Sequence, residues 1–130
     1  MKNKKVFLGG TCNQSTWRNA LIPQLQIEYF NPVVAVWTEE AYQEEILQRE
    51  KCTYCLYVIT VDILGVYSIA EVVDDSNKRP QKTIFCFLEE GFSPPQIQSL
   101  KAVGKMVQNN GAHWLNGLPE VALFLNQNLY

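Results

Sequence analysis

The sequence predicts a three-layer α/β fold, with a five-stranded parallel sheet carrying helices on both faces. Three observations predict it. Short apolar runs alternate with helical stretches five times along 130 residues. The two strongest runs, Tyr54 to Thr60 and Lys82 to Leu88, are almost continuously apolar, as central strands buried on both faces must be. Turn residues such as Gly9-Gly10 and Asn31-Pro32 close the runs.

Lys5 to Gly9 reads as the first strand. Ser15 or Thr16 caps a helix expected to reach Leu25, with Trp17, Leu21 and Leu25 at spacing four, although Pro23 argues against full regularity. Ile27 to Phe30 is the second strand. A loop with Val33 to Trp37 follows, and Thr38 caps a helix from Glu39 to Lys51. Tyr54 to Thr60 is the third strand, Asp62 to Tyr67 a loop, and Ser68 to Asn77 a helix. Lys82 to Leu88 is the fourth strand, and Pro94-Pro95 open a helix to Gln108 that Asn109-Asn110-Gly111 ends. Ala112 to Leu115 is a weak last strand, and Leu118 to Asn128 the last helix. Right-handed crossovers leave few arrangements. The expected one is a flavodoxin-like sheet of strand order 2-1-3-4-5, whose switch point lies between strands one and three.

The 47% hydrophobic and 18% charged fractions are ordinary for a soluble globular chain. The expected organisation is one domain over residues 1–130. A net charge of -2 with dispersed Lys and Arg lacks the basic stripe that nucleic acid demands, so no nucleic-acid partner is expected. Val6-Phe7-Leu8 is too short for a signal-peptide core, and no run approaches the roughly 18 apolar residues of a membrane span. The expected address is the cytoplasm, without a membrane partner. Of the four cysteines, Cys52 and Cys55 have C-x-x-C spacing, but residues three apart at a strand entry are expected on opposite faces. With His113 the only histidine, the cysteines read as free buried thiols, and neither a metal nor a redox cofactor is expected.

A ligand crevice belongs outside the carboxyl ends of the strands at the switch point. That places Gly9-Gly10-Thr11 beside Thr60-Val61-Asp62 and the loop to Ser68. The glycines permit close backbone approach, although a tight turn alone also accounts for them; the segment is neither a P-loop nor a G-x-G-x-x-G fingerprint. Ser68-Ile69-Ala70-Glu71 reads first as a capping box, Glu71 returning to the Ser68 amide. It also places a carboxylate in the first turn of a helix, where the helix end favours ionisation and a nucleophile can form. Glu39, Glu40, Glu44 and Glu45 read as a solvated acidic face from which one member can supply a second carboxylate for glycosidic chemistry. Trp17, Phe30, Trp37 and Tyr67 flank the region as core residues or as stacking partners for a base. Arg18 reads as a surface ion pair or as a phosphate ligand.

Lys5-Val6-Phe7-Leu8-Gly9-Gly10-Thr11, Trp17-Arg18, Phe30-Asn31-Pro32-Val33, Leu56-Tyr57-Val58-Ile59-Thr60 and Ser68-Ile69-Ala70-Glu71 come in a characteristic order and spacing. Together they resemble the nucleoside 2-deoxyribosyltransferase family, in particular its small transferase-like branch, over residues 5 to 90. The resemblance implies cleavage of the N-glycosidic bond of 2'-deoxynucleosides or their monophosphates. It implies Glu71 as nucleophile and Glu45, eight positions before Thr53, as acidic partner. It sets Gly9, Gly10 and Thr11 beside the sugar, and Asn31 and Trp37 in a wall of the pocket. Thr53 stands where the family has an Asp. Asp62 stands in for the Asp of the family's D-x-G-[ST]-x-x-E run at a longer spacing from Glu71. The resemblance also implies a homo-oligomer in which a neighbouring subunit contributes residues, often near the chain end; no motif aligns at Tyr130. The rival readings are a nucleotide or NAD glycohydrolase and a non-catalytic nucleotide-sensing module.

Overall fold

Successive residues of the first strand, β1 (Lys5–Gly10), serve different layers. Val6 and Leu8 pack in one core and Phe7 in another, all three fully buried, because neighbouring strand side chains point to opposite faces. The computed structural model describes residues 3–12 and 15–127. Its further strands are β2 (Glu28–Phe30), β3 (Tyr54–Ile59), β4 (Thr83–Phe87) and β5 (His113–Trp114). They form one sheet of order β2-β1-β3-β4-β5, and every neighbouring pair is parallel. The expected topology is therefore the observed one. Gly10 lies opposite Val58, which brings the carboxyl ends of β1 and β3 level.

Helices α1 (Trp17–Leu21) and α5 (Leu118–Asn126) cover one face, where Leu21, Val121 and Leu125 pack on Leu8, Leu56 and Ile84. Helices α3 (Tyr67–Lys78) and α4 (Pro94–Asn109) cover the other, where Val72, Leu100 and Val107 pack with Phe7, Tyr57 and Phe85. Helix α2 (Glu39–Lys51) joins this second layer in a different way. Its two buried residues, Glu45 and Arg49, are both charged. A helix normally docks through an apolar stripe; α2 docks through ion pairs from Arg49 to Asp74 and Asp75 of α3.

Two caps form as local chemistry dictates. The Ala41 amide donates to Thr38 Oγ1 at 3.1 Å. At α4, Ser93 and Gln96 form a reciprocal capping box ahead of a first turn that Pro94 opens. Other boundaries differ from expectation. Helix α1 ends at Leu21, and Pro23 sits in a 3-10 turn over Ile22–Gln24, because proline has no amide to continue the helix. Thr16 makes no side-chain cap. Helix α3 begins at Tyr67 with Val66 as its cap residue, so Ser68 lies inside the helix. Asn128 and Tyr130 lie outside the described residues.

Cys52 and Cys55 share one core layer instead of facing opposite ways, because Cys52 still caps α2 and is not yet on the strand. The Cys55 thiol donates to the Arg49 carbonyl at 3.2 Å, and burial pushes it up to about 12. Among the described residues, no helix is long and apolar enough to cross a membrane, and no group of three or more His, Cys, Asp or Glu is placed to hold a metal ion.

Candidate active site

The end of β1 approaches β3 more closely than any residue with a side chain permits. Gly10 has φ +108°, and a Cβ there would meet the Val58 carbonyl oxygen at 2.1 Å. The chain is then tied across: the Thr11 amide donates to the Val58 carbonyl at 2.9 Å, and the Thr60 amide donates to Thr11 Oγ1 at 2.8 Å. Thr11 is 2% exposed, so its hydroxyl belongs to this tie. Beneath it, Trp17 Nε1 donates to the Thr11 carbonyl at 2.9 Å. Arg18 donates to the same carbonyl at 2.7 Å and to the Leu8 carbonyl at 3.0 and 2.8 Å. The Arg18 guanidinium also lies over the Trp17 ring. Both side chains are buried, so Arg18 is neither a surface ion pair nor a free phosphate ligand. It satisfies carbonyls that the strand end leaves without partners.

Beside this tie lies a hollow of about 240 Å³, walled by α2, the start of α3 and the ends of both loops. Of the residues singled out in the sequence, it brings together Gly9, Gly10, Thr11, Trp37, Glu45, Ser68 and Glu71, and Tyr67 joins them at the rim. Trp17, Arg18, Asn31 and Asp62 are not in its lining. Asn31 is exposed, and its Oδ1 accepts from the Val33 amide in its own loop. Asp62 borders a separate hollow with Ser15, Trp17, Thr60 and Glu90. No Lys or Arg is among the described residues that line the Glu71 hollow.

Glu71 is 4% exposed and Glu45 7%. The capping box does not form. Ser68 Oγ donates instead to the Gly10 carbonyl at 3.0 Å, and Glu71 Oε2 has no hydrogen-bond partner. Glu71 also sits beyond the first turn of α3, so the helix end does little for its charge. Burial first, then contact with Glu45 and its like charge, push the Glu71 carboxyl up to about 9, while Arg49 pulls the other way. The expected ionised carboxylate is therefore replaced by a Glu71 carboxyl that keeps its proton at neutral pH.

Behind Glu71 runs a network that motif reading missed. Arg49 donates to Asp75 through Nε at 3.2 Å and Nη2 at 2.9 Å, and Tyr57 donates to Asp75 at 2.5 Å. The available signal was spacing: Glu45 with Arg49, and Glu71 with Asp75, each stand four apart on one helix face.

Compared with models of known families, residues 3–90 match that described as nucleoside 2-deoxyribosyltransferase like. This chain belongs to that family. The match runs from β1 through β4, and every residue lining the Glu71 hollow falls inside it. Membership of the nucleoside 2-deoxyribosyltransferase like family supports a role in glycosyl transfer. Neither the curated proteins nor the solved structures yield a match.

Proposed function

We propose that the chain, read as one domain over residues 1–130, cleaves or transfers the N-glycosidic bond of a 2'-deoxynucleoside through a covalent Glu71–deoxyribosyl intermediate. The observation that carries this reading is a buried carboxyl with one unpartnered oxygen in the hollow that the family match encloses. As substrate binds, the proton that Glu71 holds passes to Glu45. With that proton on Glu45, the Glu71 carboxylate attacks C1' of the sugar as the C1'–N bond breaks. The bonding pair leaves with the base, and the base takes the proton from Glu45. A second base, or water, then attacks C1', gives its proton to Glu45 and releases Glu71. Positive charge on the sugar ring in the transition state meets a fixed anion in a water-poor site.

Trp37 and Tyr67 are 55% and 47% exposed at the rim of the hollow, where a base can stack on either. The lack of a lysine or arginine in the described lining favours an uncharged nucleoside over its monophosphate. The exposed Val36, Leu64 and Val66, chain neighbours of the lining residues Trp37, Gly65 and Tyr67, favour a homo-oligomer.

The test is product analysis by mass spectrometry with deoxynucleosides, deoxynucleotides and NAD, for wild type, Glu71→Gln and Glu71→Ala. Base release or exchange is expected for wild type, with a loss of at least about 10³-fold in both variants. Cleavage at wild-type rate in either variant refutes the covalent role.

A further inference from the structure

The reaction above leaves one buried charged assembly unused. Arg49 is 7% exposed and Asp75 fully buried. Asp75 accepts from Arg49 Nε at 3.2 Å and from Nη2 at 2.9 Å, and Asp74 accepts from that same Nη2 at 3.0 Å. Tyr57 and Arg79 both donate to Asp75, which holds the carboxylate still from the far side. A guanidinium gripped in this way has no freedom to turn. The nitrogen it presents to Glu71 is Nη1, 3.7 Å from Oε2, the oxygen that lacks a hydrogen bond.

We propose that Arg49 is a positioning residue for Glu71: clamped by Asp75, it keeps a fixed positive charge against the carboxyl and makes the Glu71 carboxylate attainable inside a buried hollow. The proposal rests on the reading of Glu71 as nucleophile. The groups facing Glu71 are Glu45 and Arg49 from α2, Asp75 from its own helix, Tyr57 from β3 and Tyr67 at the start of α3. Arg49 is the cation in this set; the Glu45 and Asp75 carboxyls favour the protonated form of Glu71, and the two phenols carry no charge toward it. Arg18, the other buried arginine, lies on the Glu45 side. Arg18 spends its donors on the Leu8 and Thr11 carbonyls, and Arg49 is the arginine held at ion-pair distance from Glu71. A lysine cannot replace it, because one ammonium cannot grip two Asp75 oxygens and still face Glu71.

The test is an NMR titration of the whole chain, following the Glu71 side-chain carboxyl carbon and the Arg49 guanidinium nitrogens. In wild type the Arg49 signals should move with the Glu71 midpoint. In Arg49→Gln that midpoint should rise by about one pH unit or more, a tenfold loss of carboxylate at fixed pH, and in Arg49→Lys by less. A Glu71 midpoint within about 0.3 unit of wild type in folded Arg49→Gln overturns the proposal. So do Arg49 signals in wild type that ignore the Glu71 transition, a measurement that needs no variant to fold. In turnover, the acid-side limb of the kcat/KM profile should move upward with the midpoint in Arg49→Gln; a purely structural role lowers kcat/KM and leaves the limb in place. The titration needs no activity, so an inert wild-type protein with coupled midpoints refutes the transferase reading and leaves the Arg49 coupling established.

Discussion

Glu71→Gln should make this protein more stable, and increasingly so as pH rises. An unfolded glutamate loses its proton around 4.5, whereas Glu71 in the fold keeps it to about 9. Between these values the unfolded state binds fewer protons than the native state, so Glu71 erodes stability as pH climbs. Its favourable contribution is complete below the unfolded value and lost as pH passes through the folded one. Glutamine fills the same volume and never ionises. Linkage at about 1.36 kcal/mol per unit gives an upper bound on the order of 6 kcal/mol. Water entering the hollow and the charge of Arg49 relieve much of that, so a gain of about 2 to 3 kcal/mol between pH 5 and pH 9 is expected. Urea unfolding of wild type and variant at pH 5, 7 and 9 measures it, and the difference between the two curves cancels the titrating groups remote from Glu71. A difference that stays flat with pH, or shrinks as pH rises, refutes the placement of Glu71 as a buried carboxyl without a full partner.

Gly10→Ala should cost about 3 kcal/mol or more, because its Cβ would meet the Val58 carbonyl at 2.1 Å with φ at +108°. Gly65→Ala, with nothing within 4 Å of its Cβ, should change stability by less than about 1 kcal/mol. Thermal melts of the pair compare the two sites directly, and equal melting temperatures refute the close approach of β1 to β3. Trp37→Ala should raise KM about tenfold and leave kcat nearly unchanged, as loss of one stacking face implies. Because Trp37 is 55% exposed, its removal should barely alter the melting temperature. A fall in kcat at constant KM would place the ring in the chemistry instead of at the rim.

What the sequence disclosed followed the range of the interactions involved. Strand alternation and Thr38 capping are local, and both emerged as expected. The switch point followed from crossover handedness, a rule of whole folds. Ser68 shows where local reading fails. Its capping-box pattern is complete within four residues, yet its hydroxyl goes to Gly10, which lies 58 residues away. Arg18 fails for a related reason. A charged residue at a helix start reads as solvated, but the carbonyls of Leu8 and Thr11 at the end of β1 need donors and draw it inward. Asp62 stands near the crevice in sequence but borders a different hollow. Arg49 carried no motif, and only the spacing of charges on two helices hinted that it faces Glu71.

The charged network also contains its own indication of which end meets a ligand. At the Asp75 end the carboxylate is satisfied: it accepts from Arg49, Tyr57 and Arg79 and is fully buried. At the Glu71 end the same network stops short, with an oxygen 3.7 Å from the guanidinium and no donor bonded to it. A purely structural ion cluster would be closed at both ends, since a buried polar atom without a partner costs about 1 to 3 kcal/mol. Apolar residues at Glu45 and Arg49 would give α2 the docking stripe it lacks, and replacing buried charges in this way is often neutral or stabilising. The fold instead keeps a glutamate and an arginine on the buried face of α2, and Glu45 lines the same hollow as Glu71. Local rules are broken together at functional sites. Gly10 with its positive φ, the exposed Trp37 and the Glu71 oxygen without a hydrogen bond meet around one hollow, and a donor group that approaches this oxygen relieves the cost of leaving it unpaired.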